Sequence, residues 1–132
     1  MKRGKEHIIP LSDAAMAVLS CLNERRISKW VFPSAKPSVH ISTGAMAALL
    51  KRMKRTDITP HGFRSTFRDW AGDTTNFTRD VIEFSLSHIV GEEAERAYRR
   101  GTALEKRTRL MQAWSDYATG EQTSNVIPMI NA

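Results

Sequence analysis

Apolar and polar positions recur with two different periods along this chain, and the switch between them lays out the expected elements. Residues 6 to 11 alternate and carry branched side chains at Ile8, Ile9 and Leu11, which predicts a strand. Ser12 follows as an N-cap for a helix over 13 to 25, on which Ala15, Val18, Leu19 and Leu22 face the core. Residues 31 to 42, with Pro33, Pro37 and three serines, read as an irregular connection. A second helix is expected from Thr43 to Lys54, capped by Ser42, with Met46, Leu49, Leu50 and Met53 buried.

A third helix covers about 60 to 73. Phe63, Phe67 and Trp70 follow one another at spacings of four and three and form its buried stripe. His61, Arg64 and Arg68 project from the other side, the first two about 60° apart. Shorter helices are expected over 79 to 87 and 92 to 99, the second opening on Glu92, Glu93 and Glu95, where the helix dipole favours acids. A long helix over 102 to 119 carries Leu104, Met111, Trp114 and Ala118 around Tyr117, which therefore reads as a packing residue. From Glu121 the last twelve residues are polar and then apolar, at Val126-Ile127-Pro128-Met129-Ile130. The pattern as a whole predicts a mainly α protein with a strand near its start, without internal repeats or low-complexity segments.

Composition narrows this picture. At 132 residues with 41% hydrophobic residues, the chain fits one domain with a moderate core. No apolar run approaches transmembrane length, and a single cysteine, Cys21, excludes an intramolecular disulfide framework. There is no Gly-rich phosphate loop and no Asp/Glu cluster at metal spacing, so neither a nucleotide nor a metal cofactor is expected. The formal net charge of +6 fits a nucleic-acid partner, because lysines and arginines displace counterions from a phosphate backbone. The run Lys51-Arg52-Met53-Lys54-Arg55 fits two roles equally, a solvated helix end and a phosphate-facing edge. His7 and His40 receive no role.

The chemistry-bearing residues fall in three short pieces: Thr59-Pro60-His61-Gly62-Phe63-Arg64, then Leu86-Ser87-His88, then Tyr98 followed by Arg99-Arg100. In one pocket they would set two imidazoles, a guanidinium and a phenol hydroxyl around a phosphodiester. Fixed donors stabilise the charge that builds on its non-bridging oxygens, and an arginine fork can hold two of them. Arg96, Arg99 and Arg100 around Tyr98 argue against a dry core there.

His61-Gly62-Phe63-Arg64, a Leu-Ser-His 24 residues after the arginine, and an Ala-Tyr ten residues after that histidine resemble the active-site signature of the tyrosine recombinases, the phage integrase family. The likeness runs from about Lys2 to Tyr117 and is nearest in character to prophage and genomic-island integrases. It implies that Tyr98 is the nucleophile, that His61 and Arg64 are the family's histidine and second arginine, and that His88 is its second histidine. The segment from Met1 to Ser12 resembles the family's β-hairpin, which makes Lys2 the match to the catalytic lysine, with Lys5 the alternative. The family's first arginine, usually in an Arg-x-Gly-Glu-like setting upstream of that hairpin, has no match in this sequence.

The resemblance implies a mainly α fold with a small β-sheet (α+β), the C-terminal portion of a catalytic domain over 1–120, truncated at its N-terminal side. Residues 121–132 would then be a tail forming a strand in cis or in trans. It further implies double-stranded DNA as the partner, a homo-tetramer of the full-length protein on DNA, no cofactor, no membrane, and a place in the cytoplasm at the bacterial nucleoid. Tyr98 would form a covalent 3′-phosphotyrosine, later reversed by another strand's 5′-hydroxyl. A DNA-binding remnant or regulator without catalysis is the alternative. A hydrolytic nuclease or phosphatase would need metal ligands or a stronger base than the sequence offers.

Overall fold

The computed structural model describes residues 7–36, 38–88 and 100–120, the side chains of 100–102 excepted. They form α1 (Asp13–Glu24), α2 (Ala45–Arg52), α3 (Gly62–Thr74), α4 (Arg79–Ser85) and α5 (Arg100–Thr119). The mainly helical expectation holds. The small β-sheet does not: among the described residues there is no strand, and the β pairing present is an isolated antiparallel bridge between Pro33 and His40. Residues 7–12 run without a strand partner among the described residues. Arg107 Nη2 on α5 donates to the Ile8 carbonyl, and Pro10 has no amide to give a ladder.

The chain divides into two units, one of Ala14–Thr66 and one that joins the segment up to Asp13 to the residues from Phe67 onward. The second unit holds the core. Phe67, Trp70 and Ala71 of α3 pack with Val81, Ile82 and Leu86 of α4 and with the fully buried Leu110 of α5. Phe77, Met111, Ala113 and Trp114 close around them. The aromatic contacts are oriented: Phe67 meets Trp114 edge-on at 5.5 Å, and Trp70 lies 5.1 Å from Trp114. Tyr117 stacks on Trp70 at 5.3 Å, as a packing residue, yet keeps its other face in solvent.

Polar groups tie the same unit together. The Asp13 amide donates to Gln112 Oε1 at 3.0 Å, and Gln112 Nε2 in turn donates to the buried Asp116 at 2.8 Å, so α5 holds Asp13 within this unit. Burial lowers the pKa of Arg107, and burial followed by the Arg107 charge lowers that of His7.

In the unit of residues 14–66 no described residue is buried. Val18, Met46, Leu49 and Met53, expected in a core, are exposed, while Ala15, Leu19, Leu22 and Leu50 are half-buried. Their periodicity is helical, as read, but among the described elements α1 and α2 do not pack on one another, which leaves these apolar faces open. Phe63 is likewise half exposed, at the first turn of α3, and the buried stripe of that helix starts one turn later at Phe67. The 31–42 connection is more ordered than its composition suggests. Ser34 N bonds Val39 O and Ile41 N bonds Phe32 O across it, and Trp30 meets His40 edge-on while donating to the Ser38 carbonyl.

Two helices end by the same device. The amide two residues past the cap returns to the carbonyl five residues back, and the intervening residue takes a left-handed conformation. In α2 these are Arg55 N to Leu50 O and Lys54 at φ 57°; in α4 they are His88 N to Glu83 O and Ser87 at φ 57°. Glycine is the usual occupant of that position, so its absence from both hid the helix ends, expected at 54 and 87 and found at Arg52 and Ser85. The start of α2 also differs. Its N-cap is Gly44 without a side-chain bond, and Ser42 serves through its carbonyl, which accepts from Ala45 N.

Candidate functional site

His61 does not lie on the third helix but in the turn before it. Thr59 builds that turn by accepting the Gly62 amide on its carbonyl at 2.9 Å and on its hydroxyl at 3.0 Å. A Cβ at Gly62 would sit 3.3 Å from that hydroxyl, tighter than ordinary contact, so a larger residue there would displace the Thr59 side chain by a few tenths of an ångström. The Arg64 amide then donates to the His61 carbonyl at 3.0 Å, so the two residues are joined by one backbone turn. His61 is exposed and Arg64 is half-buried. His61 thus stands in a turn where a helix was expected, and the helix begins at Gly62.

The basic run at the end of α2 is exposed throughout. Arg55 is not a free cation: its Nε and Nη2 hold both oxygens of Asp57, at 2.9 and 2.7 Å. That bidentate grip is the main cause that lowers the Asp57 carboxyl to about 2.

His88 is placed by the other unit. The left-handed Ser87 turns the chain back at the end of α4, and the His88 ring comes to rest against the side chain of Glu83. Glu83 occupies a core position beside Val81 and Ile82, its side chain 11% exposed. One carboxylate oxygen accepts Arg68 Nε at 2.9 Å and the other accepts His88 Nδ1. The hydrogen bond from His88 is the larger cause, and Arg68 the lesser, that hold the carboxyl below the usual glutamate range against burial, which pushes the other way. An ionised carboxylate can only accept, so the Nδ1 position of His88 carries the proton and Nε2 is left for another partner.

Of the residues expected to act together, His61 and Arg64 are adjacent in one unit and His88 stands in the other. Tyr98, Lys2 and Lys5 lie outside the described residues, as do the expected 92–99 helix and the 121–132 tail. The sequence reading missed Glu83. Its signal was an acid inside the apolar run Val81-Ile82-Glu83-Phe84, five residues before a histidine. Among the described residues no helix is long and apolar enough to cross a membrane.

Comparison with known proteins bears on these pieces directly. Residues 1–71, more than half of the chain, match the model of the phage integrase family. The chain belongs to that family. It is 33% identical over 130 residues to the prophage integrase IntA of Escherichia coli (strain K12), covering 96% of this chain and 31% of that protein. It is 31% identical over 136 residues to the integrase of Enterobacteria phage P4, covering 98% of this chain and 31% of that protein. The integrase of Shigella phage Sf6 is 28% identical over 121 residues. The chain thus spans about a third of the length of these integrases, and no solved structure matches it.

Proposed function

We propose that this integrase-family chain carries the cleavage and rejoining chemistry of site-specific DNA recombination, acting on double-stranded DNA as part of a homo-tetramer in the bacterial cytoplasm. The observation that carries the reading is its family membership together with a His61–Arg64 pair fixed at the opening of α3 and an oriented His88 at the end of α4.

In the reaction Tyr98 Oη attacks the scissile phosphorus; a tyrosine–phosphate bond forms as the bond to the 5′-oxygen breaks. His61 takes the phenolic proton, which a tyrosine otherwise keeps near neutral pH. Lys2, or Lys5 as the alternative, gives a proton to the departing 5′-oxygen. Arg64 holds the non-bridging oxygens, and His88 hydrogen-bonds the same phosphate through Nε2. The phosphotyrosine conserves the bond, so a second strand's 5′-hydroxyl reverses the step without a nucleotide. The tail over 121–132 would pack as an extended segment in cis or on a neighbouring subunit.

The test uses the longest polypeptide that the gene encodes, incubated with a nicked suicide substrate bearing its attachment site. A covalent protein–DNA adduct is expected, absent in Tyr98→Phe while DNA binding is retained. Arg64→Ala should slow adduct formation by roughly 100- to 1,000-fold, the usual effect of removing one donor to a developing oxyanion. An adduct that survives Tyr98→Phe moves the nucleophile elsewhere, Tyr117 being the second of two tyrosines in the sequence. DNA binding with no adduct from the wild type would make the chain a DNA-binding remnant.

A further inference from the structure

We infer that Glu83 is the positioning residue for His88, locking its ring with Nδ1 protonated and Nε2 directed at the DNA phosphate, and that Arg68 sets which way Glu83 faces. The role in cleavage rests on the recombinase reading; the lock itself rests on geometry alone. Among the described residues Glu83 is the group that hydrogen-bonds Nδ1, and its backbone carbonyl also accepts the His88 amide at 2.9 Å, so one residue fixes both the ring and the backbone of the histidine. No other described residue hydrogen-bonds the ring, whose side chain is 47% exposed. The arrangement needs a carboxylate. Arg68 Nε and His88 Nδ1 both donate, and only a group with two acceptor oxygens satisfies both at once.

This requirement gives the substitution Glu83→Gln a specific consequence. An amide has one acceptor oxygen, and Arg68 can only donate, so the oxygen goes to Arg68 and the NH2 group turns to His88 Nδ1. Nδ1 must then accept, and the neutral ring moves its proton to Nε2. Removing Arg68 as well frees the amide to rotate, and its oxygen can again accept from Nδ1. The pair Glu83→Gln and Arg68→Leu therefore inverts the tautomer and then restores it, which lost packing alone would not do. Arg68 is half exposed, so its replacement opens no cavity, and beside the neutral amide of Glu83→Gln it leaves no buried charge unpaired.

The experiment is nitrogen NMR of the four histidines of this chain at about pH 9, where an imidazole is neutral, with His88 assigned by its loss in His88→Gln. The wild type should show Nδ1–H, Glu83→Gln should show Nε2–H, and the double variant should return to Nδ1–H. A wild-type ring in the Nε2–H form, or three variants with the same tautomer, overturns the lock. Should Glu83→Gln fail to fold, the wild type and Arg68→Leu, which keeps the carboxylate, decide it: both must show Nδ1–H. In the longest polypeptide Glu83→Gln should slow adduct formation on the order of 10- to 100-fold, the range found for outer partners of functional histidines, and adding Arg68→Leu should recover most of it. Equal rates in Glu83→Gln and wild type overturn the role in cleavage. A wild type without adduct overturns the recombinase reading itself, and the tautomer is then decided on the spectra alone.

Discussion

Phe67→Ala puts the placement of α3 to a quantitative test. Phe67 is 6% exposed, meets Trp114 edge-on at 5.5 Å, and lies 6.4 Å from Trp70, so truncation removes a ring from the centre of the aromatic cluster. The loss combines the transfer free energy of the ring with the cavity left behind, about 3–5 kcal/mol for a core phenylalanine. Phe63→Ala is the matched control, the same change one turn earlier on the same helix. Phe63 is 50% exposed, so it forfeits at most half of a transfer term of about 1.5–3 kcal/mol and leaves no cavity. Urea unfolding followed by tryptophan fluorescence reads the difference, because Trp70 and Trp114 report on the core. With a slope of about 1–3 kcal/mol/M, Phe67→Ala should lower the midpoint by roughly 2 M. If that variant leaves too little folded protein, Phe67→Leu, at about 1.5 kcal/mol or less, keeps the comparison measurable. Equal midpoints for Phe67→Ala and the wild type, or equal losses for the two phenylalanines, would refute the assignment of the buried stripe.

Ser87→Gly should be neutral to stabilising by about 0.5–1 kcal/mol in thermal melts, since a left-handed conformation costs an L-residue roughly 1–2 kcal/mol and glycine returns part of that as unfolded-state entropy. Ser87→Val, β-branched at the same φ, should destabilise, and a melt unchanged in Ser87→Val would show that the turn is not left-handed. Acid should weaken the fold through Glu83: its folded pKa is lowered, so its contribution is complete above the ordinary glutamate value of 4.5 and fades as pH falls below it. Denaturation midpoints measured from about pH 6 down to pH 3 should therefore decline most steeply below 4.5 in the wild type and less steeply in Glu83→Gln; parallel declines would refute the linkage.

What the sequence made legible follows from range. The 3.6-residue period placed the five helices of the described residues, and His61-x-x-Arg64 falls on a turn closed by a backbone bond between the two residues. Those features are local. Burial was legible only where a partner element exists: Phe67 and Trp70 pack against α4 and α5, while Met46 and Leu49, with as clear a period, meet nothing. Periodicity reports that a face is apolar; what covers it is a long-range fact. The strand expected over residues 6 to 11 failed for the same reason, because alternation says nothing about a pairing partner and Arg107, 99 residues away, took the Ile8 carbonyl.

Both histidines of the proposed chemistry sit at helix termini, His61 before α3 and His88 after α4, each held by backbone turn bonds. Such a position fixes the main chain and leaves the side chain in solvent, which suits groups that must meet a phosphate from outside the fold. It leaves ring orientation undetermined, and a ring free to rotate loses part of its value as a preformed donor. His88 resolves this through a buried carboxylate, whose isolated charge would be costly without the two donors that satisfy it. The apolar run over 81–84 can therefore carry an acid because Arg68 and His88 compensate it, and the same compensation fixes the histidine. His61 has no comparable partner among the described residues, so its ring has to be oriented by the substrate or by residues beyond those described.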